Sequence, residues 1–191
     1  YTTQLLAMAL LSTALAKDAE RRRDLQAIPD AVARTLSLDA VVEKTAARWR
    51  EMNACLVIGR GYNYATAFEI ALKLKELAYI IAEPFSSADF MHGPFALIEQ
   101  GFPIILIAPR GQVSDDLVAV VKRLKDKGAD VVVISDVRAA LEIGDTALAL
   151  PVAQPEWLSP FTAVIPGQLL AHHLTALKGY DPDHPRGLTK V

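Results

Sequence analysis

Glu69, Lys73 and Glu76, in the stretch "FEIALKLKEL", are the residues whose types and spacing could do chemistry. On a helix advancing about 100° per residue they fall within about 60° of one another, on one narrow stripe. An acid, a base and an acid in line can move a proton and hold the charge that develops as it moves. Apolar residues flank the stripe, Ile70 and Leu77 on one side, Phe68 and Leu72 on the other. A surface helix normally shows a broad polar face. Charges set among apolar neighbours are costly unless paired or used. The plainer alternative is a Glu69–Lys73 i,i+4 salt bridge on a half-exposed helix, and periodicity does not choose between the two.

A second candidate follows in "FSSADFMHGP". Ser86 or Ser87 can cap a short helix starting at Ala88, and Gly93-Pro94 breaks it just after His92. The imidazole is then presented on an exposed turn, and imidazole is suited to moving protons near neutral pH. A single histidine is nevertheless more often structural than catalytic. His172 and His173 are adjacent on a helix and point about 100° apart, so they cannot chelate one metal as an i,i+4 pair would. They are read as packing or interface residues, and no metal site is expected.

Gly59 and Gly61 suggest a phosphate-cradling turn, but a dinucleotide fingerprint needs a third glycine and an acidic residue after the second strand. Here Tyr62, Asn63 and Tyr64 follow, and the second strand ends in Ala108, Pro109 and Arg110. NAD binding is excluded on that ground, and no Gly-Lys-Ser or Gly-Lys-Thr occurs for a Walker loop. The glycines themselves read as a tight strand-to-helix turn.

The elements that must position these residues are legible from hydrophobic runs. Strands are expected at 54–59, 103–109, 130–135 and 146–151, with helices at 65–80, 115–127 and 159–178. Strands this apolar are buried on both faces, and the intervening helices are the crossovers of a parallel sheet. The expected fold is a doubly wound α/β lobe over 53–191, with its crevice at the carboxyl ends of the strands, near 59–63, 109–112 and 135–136. Residues 1–52 read as helical: an apolar helix to about Ala16, a basic turn "KDAERRR", a helix near 27–36, and another N-capped by Ser37. Pro160 fits a first helical turn, and Pro166 should kink the helix it interrupts.

With 191 residues, 52% hydrophobic and a net charge of −2, the chain suits one substantial lobe with an appendage. Its charge argues against a nucleic-acid surface, and no segment holds the roughly 20 uninterrupted apolar residues of a membrane span. Cys55, the one cysteine, excludes an internal disulfide and reads as a small core residue. A cytoplasmic setting is the expectation. The first residues are apolar without a basic leader or a cleavage site, and read as a helix from a longer chain rather than a signal peptide.

The segment "ALKLKELAYIIAEPFSSADFMHGPFALIEQGFPIILIAP", the strand–turn "LVIGRG" and the C-terminal "PFTAVIPGQLLAHHLTALKGYDPDHPRGLTKV" together bear a family likeness. They resemble the second sugar-isomerase (SIS) lobe of the isomerase module of glucosamine-6-phosphate synthase and its glutaminase-free relatives, including glucosamine-6-phosphate deaminases and fructosamine-type deglycases. The likeness runs from Cys55 through Lys190. It implies a sugar-phosphate substrate, fructose 6-phosphate or glucosamine 6-phosphate, and no cofactor. It makes Glu76 the residue that moves a proton between sugar C1 and C2, Lys73 the cation that fixes Glu76 and steadies the enediol-like charge, and Glu69 the support for Lys73. His92 resembles the residue that assists ring opening and reaches the site of the neighbouring subunit of a homodimer. Lys190 resembles the tail lysine that covers the site and contacts the open-chain sugar.

The family's first lobe binds phosphate with a Ser/Thr-rich loop of Ser-x-Ser-Gly-x-Thr type, and this sequence contains none. Residues 1–52 resemble the end of such a lobe plus inter-lobe helices, so a preceding lobe is expected upstream. Glu69, Arg60 and Gly61 are the expected substrate contacts within this chain, with Arg110 as a further cation. The likeness leaves synthase, deaminase and deglycase open. A non-catalytic sugar-phosphate sensor is the rival from another class, although a sensor needs no proton-transferring carboxylate beside a lysine.

Overall fold

The computed structural model describes residues 1–187. Helices α1 (Thr2–Ala16), α2 (Ala19–Gln26), α3 (Ile28–Thr35) and α4 (Asp39–Arg48) lead into an alternation of strands and helices. These are β1 (Ala54–Gly59), α5 (Tyr62–Ala78), β2 (Ile81–Ser86), α6 (Ser87–Phe90), β3 (Pro103–Ile107), α7 (Ser114–Asp126), β4 (Asp130–Ser135), α8 (Arg138–Ile143), β5 (Thr146–Ala149) and α9 (Ser159–Leu177). The five strands form one parallel sheet in the order β2-β1-β3-β4-β5. The order reverses between β1 and β3, which places the switch point where the turns after Gly59 and Ile107 leave the sheet.

Strand side chains alternate between two cores, as a sheet covered on both faces demands. Cys55, Val57, Ile105, Ile107, Val132 and Ile134 point toward α4, α5 and α9. Leu56, Ile58, Ile104, Leu106, Val131 and Val133 point toward α6, α7 and α8. Cys55 is a free thiol buried in the first core, where burial pushes it up to about 12. It stays protonated and inert at neutral pH.

Several elements differ from the sequence expectation. Ile81–Ser86 is a strand although it contains Pro84 and the exposed Ile81 and Glu83. It lies at the edge of the sheet, where a missing N–H is tolerated. The sheet therefore has five strands rather than four, and α8 is a further crossover. Ser37 is not a cap, because it sits inside a 3-10 turn (Leu36–Leu38), and Leu38 precedes α4. The "KDAERRR" stretch is not a turn: the Asp18 carboxylate accepts from the N–H groups of Glu20 and Arg21 at 2.8 and 3.3 Å and starts α2. Helix α9 continues through Pro166.

Helix α4 precedes the first strand yet belongs to the sheet's packing, burying Val42, Ala46 and the nearby Trp49 in the core under α9. Helix α1 is different. It is apolar around its circumference, and Leu6, Met8, Leu10, Leu11 and Leu15 are exposed while only Ala9 and Thr13 are buried.

Helices α5 and α9 make the most extensive helix–helix contact. Gly167 is the reason they approach closely, since a Cβ there would overlap the side chain of the fully buried Ile70. At the start of α5, buried Asn63 donates from Nδ2 to Ser159 Oγ on α9 at 2.8 Å. Ser159 donates in turn to the Glu156 carbonyl at 2.7 Å, and Thr66 bonds Asn63 Oδ1 at 3.2 Å. Replacing Gly167 by Ala gains about 1 kcal/mol of helix propensity but overpacks a filled site at ~1–3 kcal/mol. We expect Gly167→Ala to lower the urea midpoint with m unchanged, and Ile70→Val to recover part of the loss in the double variant. A Gly167→Ala midpoint at or above the parent's would show that the two helices are not in tight contact.

Candidate functional site

Helix α5 follows β1 through a turn that only glycine permits. A Cβ on Gly59 would collide with the Asn63 carbonyl as the first helical turn folds back, and Gly61 has φ 58° and ψ −131°. Ala67, Ile70, Ala71, Leu74 and Ala78 are then buried along one side of the helix. That burial fixes its rotation and directs Lys73 and Glu76 outward, at side-chain exposures of 30% and 29%.

Lys73 Nζ donates to Glu76 Oε2 at 2.7 Å. Of the two pairings open to Lys73, the helix thus forms the i,i+3 contact with Glu76 rather than the i,i+4 bridge with Glu69. Glu69 sits one turn earlier, in a shallow cleft with Tyr1, Phe68, Leu72 and Lys75. The Tyr1 phenol donates to or accepts from Thr66 Oγ1 at 3.2 Å. Burial pushes that phenol up, the Thr66 hydrogen bond opposes the rise, and the negative Glu69 adds to it.

A charge-paired carboxylate and ammonium, held but not enclosed, can accept a proton at one atom and steady a developing oxyanion at another.

His92 is exposed on the turn after α6, where its N–H bonds the Asp89 carbonyl at 3.1 Å and Gly93 follows. Arg60 lies at the end of β1 and is paired with Asp116 on α7 at 3.1 Å. Arg110 contacts Asp136, which also accepts the Arg110 backbone N–H at 2.6 Å. Lys190 lies outside the described residues. His173 bonds Asp39 at 2.8 Å and so ties α9 to α4, while His172 is exposed.

Sequence reasoning missed Glu156. Its side chain covers Gly111, its Oε2 accepts from the Gln112 N–H at 3.3 Å, and it stands near Gly61. A carboxylate of the chain itself thereby takes one backbone donor at the switch point, at the edge of a cleft of about 600 Å³ bounded by Met8, Arg21, Tyr62 and Trp157. Only the glycine at 111, which lets a side chain lie on the backbone, hinted at it. Among the described residues there is no cluster of three or more metal-ligating side chains and no helix long and apolar enough to cross a membrane.

Comparison with known proteins agrees with this architecture. The chain is 37% identical over 195 residues to the glutamine–fructose-6-phosphate aminotransferase (isomerizing) of Pyrococcus horikoshii, and 39% identical over 199 residues to that of Thermococcus kodakarensis. In both cases the whole chain is covered, and it spans about a third of the relative's length, 32% and 33%. Among solved structures, the C-terminal domain of glucosamine-fructose-6-phosphate aminotransferase from Francisella tularensis superposes with a TM-score of 0.87 at 30% identity, covering 94% of this chain and 54% of that one. Glucosamine-6-phosphate deaminase from Thermotoga maritima shares the fold, with a TM-score of 0.73 at 22% identity over 98% of this chain and 54% of its own. The SIS domain model matches residues 50–178, from the end of α4 to the end of α9, and the chain belongs to the SIS domain family.

Proposed function

We propose that this lobe carries the proton-transfer face of an amino-sugar-phosphate isomerase, of the glucosamine-6-phosphate synthase or deaminase type. The substrate would be fructose 6-phosphate or glucosamine 6-phosphate. The observation that carries this reading is the 2.7 Å contact between Lys73 and Glu76 on a half-exposed helix face. In the reaction proposed, the Glu76 carboxylate removes the proton from one of C1 and C2 of the open-chain sugar and returns it to the other. Lys73 holds the carboxylate in place and stabilises the oxygen that becomes negative in the enediol-like intermediate. Glu69 supports the charge balance of the stripe, and Lys190 contacts the open-chain sugar from the tail. His92, exposed on its turn, serves ring opening in the site of the second subunit of a homodimer.

We place the phosphate anchor outside this chain. Arg60 and Arg110 each have an aspartate partner, and Glu156 adds negative charge at the switch point beside Gly61. An incoming phosphate there would meet a carboxylate already bonded to the Gln112 N–H. The exposed leucines of α1 fit a helix that completes the core of a preceding SIS lobe, to which residues 1–52 would connect.

Three measurements test this. In the protein carrying both lobes, Glu76→Gln keeps the side chain's shape but cannot take a proton. Turnover should fall by about 10²–10⁴-fold with sugar-phosphate affinity within about tenfold of the parent. Turnover within tenfold of the parent would show that Glu76 is not the base, and tight binding without turnover in the parent itself would favour a sensor. Mixed dimers of His92→Ala and Glu76→Gln subunits should regain part of the activity. No recovery in proven heterodimers would refute a shared site. The 191-residue chain should be silent in coupled isomerisation and ammonia-release assays that detect the two-lobed protein, because remote phosphate binding is what aligns the reacting carbons. Equal turnover by both would place the phosphate on residues of this chain.

A further inference from the structure

Helix α5 ends in a residue poorly suited to the conformation it adopts. Tyr79 has φ 54° and ψ 35°, the left-handed region in which glycine is the usual helix terminator. Its side chain shows why a tyrosine stands there. After α9 the chain turns at Gly179, with φ 77°, and the Tyr180 ring meets that of Tyr79 edge to face at 4.8 Å. The Asp181 carboxylate accepts from the Asp183 N–H at 2.9 Å and contacts His184 Nδ1 at 2.8 Å, which folds the segment into a compact turn. Arg186 then returns over both rings, its guanidinium carbon 4.7 Å from each centroid. The Arg186 backbone N–H donates to the Tyr79 hydroxyl at 2.7 Å.

One aromatic ring, one cation and one hydrogen bond converge on Tyr79, three positions beyond Glu76. The last turn of a helix is where its hydrogen bonds fray. Glu76 lies in that turn, and its contact with Lys73 requires the turn to be closed. A guanidinium plane suits this clamp because it stacks on rings while keeping its charge.

We propose that Tyr79, Tyr180 and Arg186 are positioning residues, a clamp that holds the last turn of α5 closed and so keeps the Glu76 carboxylate on Lys73. This rests on the proton-transfer reading of Glu76 given above. A tail that merely lies on the surface would leave the helix end indifferent to its loss.

The test joins hydrogen exchange on the 191-residue chain to steady-state kinetics of the two-lobed protein. Arg186→Ala should speed exchange of the amides of Leu77, Ala78 and Tyr79 at least tenfold and lower kcat about five- to tenfold with KM within about twofold. Tyr79→Gly removes the backbone strain as well as the ring, so it is the discriminating variant: it should behave like Arg186→Ala. Tyr180→Ala should also speed exchange, and Tyr180→Phe, which keeps the ring face, should restore the parent's exchange. Parent-like exchange in Arg186→Ala, or a Tyr79→Gly chain as protected as the parent, overturns the clamp whatever the enzyme does. Accelerated exchange with unchanged kcat in Arg186→Ala overturns its role in placing Glu76. Survival of turnover in Glu76→Gln instead fails the proton-transfer reading, a result the exchange data neither mimic nor mask.

Discussion

The close approach of α5 to α9 is the constraint on which the rest of this lobe depends. Helix α5 can direct Lys73 and Glu76 outward only because Ala67, Ile70, Ala71, Leu74 and Ala78 are committed to the core beneath it. The small residues among them, with Gly167 opposite, set the separation of the two helices. The Asn63–Ser159 hydrogen bond sets the register, since a buried amide must find a partner and has one only in that register. A helix so fixed in rotation and translation fixes its polar stripe as well. The ion pair itself contributes little to stability at its exposure.

The fold was legible wherever burial was complete. Runs such as "ACLVIG" and "DVVVIS" lie within a sheet covered on both faces and are apolar through their centres, with Asp130 and Ser135 only at the ends of the second, so their period needed no decoding. The edge strand Ile81–Ser86 escaped because an edge relaxes the rules that make a strand recognisable. It tolerates Pro84 and keeps Glu83 in solvent. Helix α2 escaped because its arginines face water and it buries only Leu25, which leaves propensity and the Asp18 cap to make it.

The candidate site was legible in part for a related reason. Residues on one helix share a face by geometry alone, so the line of Glu69, Lys73 and Glu76 could be read from spacing. Which of two carboxylates the lysine takes depends on rotamers and on neighbours such as Tyr1, whose proximity to Glu69 spans more than a third of the chain. The partners of Glu156 and the Tyr79–Arg186 contact could not be read from spacing, because each joins segments brought together only by folding, over 44 residues to Gln112 and 107 residues respectively.

The placement of charge gives this lobe a specific character. At the switch point of a doubly wound sheet, backbone N–H groups and helix starts create a region favourable to anions. Here Glu156 lies against Gly111 and accepts from the Gln112 N–H, and the arginines following β1 and β3 are matched by Asp116 and Asp136. Side chains of the chain itself thus already stand in the crevice. The polar pair on the flank of α5 is not enclosed in the same way, and roughly 30% of each side chain remains accessible. The crevice of this lobe is thus lined by charges that already have partners or hydrogen bonds within the chain, whereas the exposed carboxylate–ammonium pair lies on a helix flank.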